Sequence, residues 1–386
     1  MCGSSLTPMN SRCSLSVSIL HHSSKIQLRQ LRTKACARNK FPILGMKNKI
    51  HLLPYITLFM RACVYSVPST ASDWQAGGTE TIIGNYLARV GPAKRDEIVV
   101  ASKIAGYWPA SPVATARSEQ PTTGSVEDCR LDAKSVKTAC EASLRRLQTD
   151  RIDLYQVHWP DRYVPIFGQT EFKHDMKRQD SVPIEETAAA MRDLIEEGKV
   201  RYIGLSNETP LGVCQWVQAC EKLGIRDKLA TIQNSYSLID RRFDGDLAEV
   251  CDEYNIGLLS WSILAGGLLS GKYQSKNDIN KSRYTLYPDF MSRSSPVSAT
   301  PQTLRAVEQY NEISQKAGMT PAELAVAFCR SRRFVSDSGS TIVGATTMQQ
   351  LKENLDAFNR PVELSEDVLE AIDKVHVQCP NPSCSL

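Results

Sequence analysis

A chain of 386 residues with 42% hydrophobic residues can bury the core of one large α/β domain or of two smaller ones. The formal net charge of +4 hides an uneven distribution: residues 1–72 hold ten Lys/Arg and no Asp or Glu, which leaves 36 basic against 42 acidic residues beyond them, a net of −6. That mildly acidic body excludes a nucleic-acid footprint, and the twelve scattered cysteines, without a CxxC pair or a repeated metal-ligand spacing, exclude a disulfide framework and a metal centre.

From Met1 to about Lys40 the chain is rich in Ser, Arg and Lys and free of acids, a composition that suits an organelle transit peptide. A mis-assigned exon without an evolved role is the alternative. The apolar run IHLLPYITLFM at 50–60 is eleven residues long and contains Pro54, too short to span a bilayer, so no membrane association is expected. Cys379 and Cys384, separated by PNPS in the tail, read as incidental thiols in a reducing compartment.

From about Asp73 onward, apolar or β-branched runs alternate with amphipathic stretches. Strands are expected at 97–102, 151–158, 199–207, 229–237, 256–264 and 340–346, and helices at 135–148, 183–199 and 348–358. Strands alternating with helices imply parallel β-α units, and six or more in one domain favour a barrel over a doubly wound sheet. No GxGxxG follows any of these strands, which weakens a Rossmann assignment. In a barrel, the two long polar insertions at 162–182 and 274–303 would be loops over the mouth.

The run RIDLYQVHWPDRYVP at 151–165 is the most informative. Its apolar strand ends on His158, and the carboxyl ends of barrel strands share one mouth where such folds keep their chemistry. A satisfied core histidine is the alternative for an isolated His on an apolar strand.

The segments SLRRLQTDRIDLYQVHWPD, LIEEGKVRYIGLSNET, IQNSYSL, LLSWSILAGGLLSGKY and IVGATTMQQLKENLDAF together resemble the aldo-keto reductase superfamily, and the HWPDRYVPIFG run resembles its Tas-like branch. The resemblance implies an α/β fold of the (β/α)8 TIM-barrel type that binds NADPH across the mouth without a Rossmann domain and reduces small aldehydes or ketones. It also implies three members of a catalytic tetrad: Tyr65 as proton donor, Lys103 at the end of IVVASK, and His158. The residue types suit the chemistry. A phenol near pKa 10 keeps its proton at neutral pH unless an ammonium makes it a better acid, and an imidazole N–H can orient a carbonyl and stabilise the charge developing on its oxygen.

For the cofactor, the resemblance places Ser206, Asn207 and Gln233 on the nicotinamide carboxamide and Tyr236 near the ring. Ser and Asn at strand ends could otherwise be helix caps. Trp261, Ser262, Ile263, Leu264, Ala265, Gly266 and Gly267 match a WSPLAGG loop along the pyrophosphate, with Ile263 in the place of the usual proline. Gly344 and Thr346 open a helix whose start suits the adenosine 2′-phosphate, with Gln350, Glu353 and Asn354 toward adenine and with Lys272 and Arg283 adding positive charge.

Two departures from the pattern stand out. The position five residues before Tyr65, where the resemblance implies an aspartate beside the lysine, is Met60, and no carboxylate occurs before Asp73. Residues 1–64 also show no GTM-like turn and no first β-α unit, so the barrel is expected to be incomplete at its N-terminal edge, beside the cofactor. The expected organisation is an atypical segment 1–64, a barrel over 65–376 and a tail over 377–386. The expected function is NADPH-dependent carbonyl reduction in a plastid or otherwise in the cytoplasm. The alternative is a catalytically impaired NADPH-binding sensor or scaffold, comparable to the potassium-channel β subunits.

Overall fold

The structure, a computed structural model, describes residues 77–107, 130–166, 169, 171–273, 299–345, 347–360 and 363–382, together with the backbone of 15–16. Among these, six parallel strands form one sheet in the order β1 (Ala101–Ile104), β2 (Ile152–Val157), β3 (Val200–Ser206), β4 (Leu229–Gln233), β5 (Gly257–Ser260) and β6 (Ser340–Thr341). Spatial order equals chain order, as in a barrel in which each crossover returns beside the strand just left. Among the described residues no strand joins β1 to β6, so these two remain the edges. A short antiparallel pairing of Leu15–Ser16 with Gly344–Ala345 lies beyond β6.

Five of the expected strands contain the observed ones, but three run shorter than expected: β4 ends at Gln233, β5 at Ser260 and β6 at Thr341. The sixth, expected at 97–102, forms at 101–104: the Val100 N–H donates to the Asp153 carboxylate at 2.9 Å instead of to a strand, and the Val100 carbonyl starts the ladder by accepting the Leu154 N–H at 3.1 Å. Asp153 is buried and ion-paired to Arg95 at 2.8 Å, which fixes the amino ends of β1 and β2 together.

The connecting helices are α1 (Thr79–Arg95), α2 (Ala133–Leu147), α3 (Ile184–Glu196), α4 (Pro210–Lys222), α5 (Asp246–Glu253), α6 (Pro301–Lys316), α7 (Pro321–Ser331), α8 (Met348–Asn359) and α9 (Glu366–Gln378). Local chemistry sets several of their starts. Asp132, Thr209, Thr300 and Thr320 each accept an N–H from the first turn, and Thr320 with Glu323 completes a reciprocal capping box. Gly84 on α1 allows a close approach to α2, because a Cβ there would run into the Arg146 carbonyl and the Leu147 backbone.

Two hydrophobic clusters separate the faces of the sheet. The large one lies between strands and helices and includes Ile104, Tyr155, Val157, Ile203, Leu205, Ile232 and Leu258. The small one is the barrel interior: Ala101, Leu154, Leu259, Trp261 and Ile342, with Tyr202 packed against it. Successive strand residues point to opposite faces, so the parity that sends Ala101, Leu154 and Tyr202 inward also sends Lys103, Gln156, His158, Gly204 and Ser206 inward. The interior therefore changes from apolar to polar along the strands, toward their carboxyl ends. No helix among the described residues is long and apolar enough to cross a membrane.

Candidate active site

The polar ends of β1 to β4 converge on one rim. Lys103 stands opposite Gln156 in the ladder, and His158 follows one pleat further on, its N–H donating to the Ile104 carbonyl at 2.7 Å. Lys103 and His158 are 8% and 3% exposed, burial that sets them apart from solvated strand-end residues. Neither is left without an interaction in the fold.

The neighbouring strand ends are laced together. Asn207, in a left-handed conformation with φ 54°, donates its side-chain amide to the His158 carbonyl at 2.9 Å and to the Ser206 hydroxyl at 3.2 Å. Ser206 donates in turn to the Gln233 carbonyl at 2.7 Å, and the Asn207 N–H donates to the same carbonyl at 3.2 Å. Ser206, Asn207 and Gln233 are all buried, and the Gln233 side-chain nitrogen, also buried, has no hydrogen-bond partner among the described residues. A buried amide donor without an acceptor costs about 1–3 kcal/mol, which a bound carbonyl oxygen would recover.

Tyr236 is not on this rim. Its ring is fully buried between sheet and helices, stacked on Phe328 at 5.8 Å and edge-on to Phe334 at 5.3 Å, and its hydroxyl donates to Asp244 at 2.6 Å. Burial, followed by the Asp244 charge, pushes that hydroxyl well above the usual phenol range. Gln233 and Tyr236 lie three positions apart, and an odd separation along an extended chain reverses the face. The structure thus makes Tyr236 a packing residue behind the wall.

The loop after β5 keeps the expected sequence together. Ser262, Ala265, Gly266 and Gly267 all take positive φ, and a Cβ on Gly267 would overlap the Lys272 side chain, so glycine there lets Lys272 fold back to 4.9 Å from the Tyr273 ring. Trp261, Ile263 and Ala265 are buried and Leu264 is half-buried. Ile263 packs into the large core, so it gives this loop an apolar anchor in the proline's place.

At the far end, Thr347 caps α8 by accepting the Gln350 N–H at 3.2 Å. Asn354 is buried, and its amide donates to the Gly344 carbonyl at 3.0 Å, so it holds the turn before the helix. Glu353 is exposed and accepts from Gln349. Tyr65, Met60, Arg283 and Thr346 lie outside the described residues.

Sequence reasoning missed the supports of the rim. The segment after His158 is fixed residue by residue. The Trp159 indole N–H donates to the Gly106 carbonyl at 2.8 Å while its ring sits 4.1 Å from the His158 ring. The buried Asp161 carboxylate accepts the N–H groups of Leu131 and Val182 at 3.1 and 3.0 Å and pairs with Arg130 at 3.2 Å. Partial burial opposes the Arg130 charge, but the Asp161 hydrogen bonds and the nearby Asp161, Asp180 and Asp132 charges carry its pKa above the ordinary guanidinium value. Arg178 lies 3.5 Å over the Tyr107 ring, tying the 162–182 loop to the end of β1. In the sequence, the only signal of these supports is the charged pair Asp161 and Arg162 directly after the apolar strand.

Parallel strands in chain order, with inward polar groups gathered at their carboxyl ends, form the arrangement of a (β/α)8 barrel. The aldo/keto reductase family model matches residues 56–377, and the chain belongs to that family. It is 39% identical over 324 residues to Protein tas of Escherichia coli, covering 83% of this chain and 85% of that protein. It is 32% identical over 297 residues to an aldo-keto reductase of Babesia bovis, covering 74% of this chain and 98% of that one. It is also 29% identical over 308 residues to a probable voltage-gated potassium channel subunit beta of Arabidopsis thaliana, with 79% and 81% covered. The similarity to Protein tas supports a Tas-like member of the family.

Proposed function

We propose that the chain reduces a small aldehyde or ketone to an alcohol with NADPH. The observation that carries this reading is the shared rim: Lys103 and His158 face inward from adjacent strands, next to Ser206, Asn207 and Gln233, with the Gln233 amide donor open to a ligand. The residues fit a nicotinamide carboxamide. Both hydrogens of the Asn207 amide nitrogen are engaged by the protein, so Asn207 offers its oxygen as acceptor to the carboxamide NH2, while Gln233 offers a donor to the carboxamide carbonyl.

When bound, the reduced nicotinamide supplies the hydride that goes to the carbonyl carbon. Tyr65 is proposed to deliver the proton to the carbonyl oxygen. The Lys103 ammonium, buried at the rim, favours the phenolate that this transfer leaves behind and so makes the phenol a better acid. An N–H of His158 orients the carbonyl and stabilises the charge that grows on its oxygen. Preference for NADPH over NADH is assigned to Lys272, Arg283, Thr346 and the start of α8 at Thr347. A charge-assisted phosphate contact adds about 1.5–3 kcal/mol, tenfold or more in affinity.

A second reading, an NADPH-binding sensor or scaffold with little turnover, is favoured by Met60 at the position of the implied aspartate. The two separate in one assay: NADPH oxidation with 4-nitrobenzaldehyde, comparing the parent with Tyr65→Phe and His158→Ala, beside fluorescence titration with NADPH and NADH. Turnover lost in both variants supports the reductase. Tight NADPH binding without turnover supports the sensor. Turnover unaffected by Tyr65→Phe removes the proposed proton donor, and equal affinity for the two cofactors removes the phosphate site.

A further inference from the structure

Arg162 and Glu208 come from the loops after β2 and β3, 46 positions apart, and meet in a two-pronged ion pair: one guanidinium nitrogen donates to Glu208 Oε1 at 2.6 Å and the other to Oε2 at 3.0 Å. The Glu208 side chain is 2% exposed and that of Arg162 24%. The same guanidinium donates to the Thr209 hydroxyl at 3.1 Å, and the Glu208 carboxylate accepts the Thr209 N–H at 2.7 Å. Space for the pair depends on Gly212 in the first turn of α4, where a Cβ would overlap both the carboxylate and the guanidinium.

The position of this pair gives it a consequence. Glu208 directly follows Asn207, whose φ of 54° is a conformation that must be held by its surroundings. Arg162 lies four positions beyond His158, the residue whose carbonyl Asn207 binds. The Glu208 carbonyl accepts the Asn234 amide at 3.1 Å, which brings in the residue beside Gln233. The pair thus closes a ring from His158 through Arg162 and Glu208 to Asn207 and back to His158, with a branch to the Gln233 strand. Among the described residues, the hydrogen bonds of this ring involve none of those at the start of α8.

We infer that Arg162 and Glu208 are positioning residues that set the distance between His158 and the Ser206–Asn207–Gln233 group, and so govern the nicotinamide half of the cofactor site without touching the adenosine half. The inference rests on the cofactor reading above. With the charge pair broken, a buried carboxylate is left beside the Asn207 turn, and the turn relaxes away from His158.

The test uses the full chain and two ligands: NADPH, and 2′,5′-ADP, which carries the phosphate-bearing adenosine half without nicotinamide. Arg162→Gln is expected to weaken NADPH about tenfold, in line with the sensitivity of such sites to small displacements. It is expected to leave 2′,5′-ADP binding unchanged. Arg162→Lys, which keeps the charge, retains most of the NADPH affinity. Glu208→Gln keeps the shape and an acceptor for Thr209, and reproduces the selective loss if Arg162→Gln does not fold. A parent that binds NADPH but shows equal weakening of both ligands in these variants, or no weakening, overturns the inference alone. A parent that binds neither ligand overturns the cofactor reading and this inference with it.

Discussion

Replacing Asp161 by alanine probes how the mouth is built. The substitution removes the acceptor for the Leu131 and Val182 N–H groups, at 3.1 and 3.0 Å, and one partner of Arg130. Each stranded main-chain donor costs about 1–3 kcal/mol, less where water can reach it. The Leu131 bond is buried and the Val182 bond partly so, while the Arg130 side chain, 23% exposed, regains water. The expected loss is therefore about 3 kcal/mol, nearly all from the two N–H groups. Asp161→Asn keeps one acceptor oxygen and is expected to lose about half as much. Urea unfolding followed by circular dichroism, with a common slope for parent and variants, measures both. Because Leu131 and Val182 stand where the chain re-enters α2 and α3, trypsin should also cut faster at Lys173, Lys177 or Arg178 in the alanine variant. A loss below about 1 kcal/mol with unchanged proteolysis would refute the assignment of Asp161 as the clasp of the 162–182 loop.

Three further outcomes follow from packing, burial and composition. Gly204→Ala places a Cβ 2.8 Å from Gln156 Cγ and 2.9 Å from Thr231 Oγ1 inside the barrel. It should cost about 1–3 kcal/mol by denaturant titration, and a cost near zero would show slack in that layer. Burial pushes the Cys140, Cys220 and Cys251 thiols up from 9.0 to about 12. The unfolded chain releases these protons near pH 9 and the folded one holds them to about 12. Their contribution is then complete below pH 9 and falls as pH rises through that window, by about 1.4 kcal/mol per thiol per pH unit. Urea midpoints at pH 8 and 10 test this, and equal midpoints would contradict it. Residues 1–64 fused to a fluorescent reporter are expected to direct it to a plastid or mitochondrion, and a cytosolic signal would end that proposal.

Much of the fold was legible locally. Apolar runs of strand length alternating with amphipathic stretches are properties of short windows, and the period of two along a strand already puts Lys103, His158 and Ser206 on the face opposite Ile104, Val157 and Leu205. The same parity argument would have turned Tyr236 away from the rim, where its resemblance to a cofactor motif had placed it. Other features had no local signal. Arg162 reads in sequence as one more loop cation, and Glu208 as a residue before a helix; only the pairing of β2 with β3 brings them to 2.6 Å. Asp161 likewise meets Leu131 and Val182 across 30 and 21 positions, and Asn354 turns from a surface helix residue into the support of Gly344. The difference is physical. Which face a side chain takes follows from the backbone dihedrals of its neighbours, whereas which buried donor meets which acceptor depends on how the loops close over the rim, and that closure exists only in the packed chain.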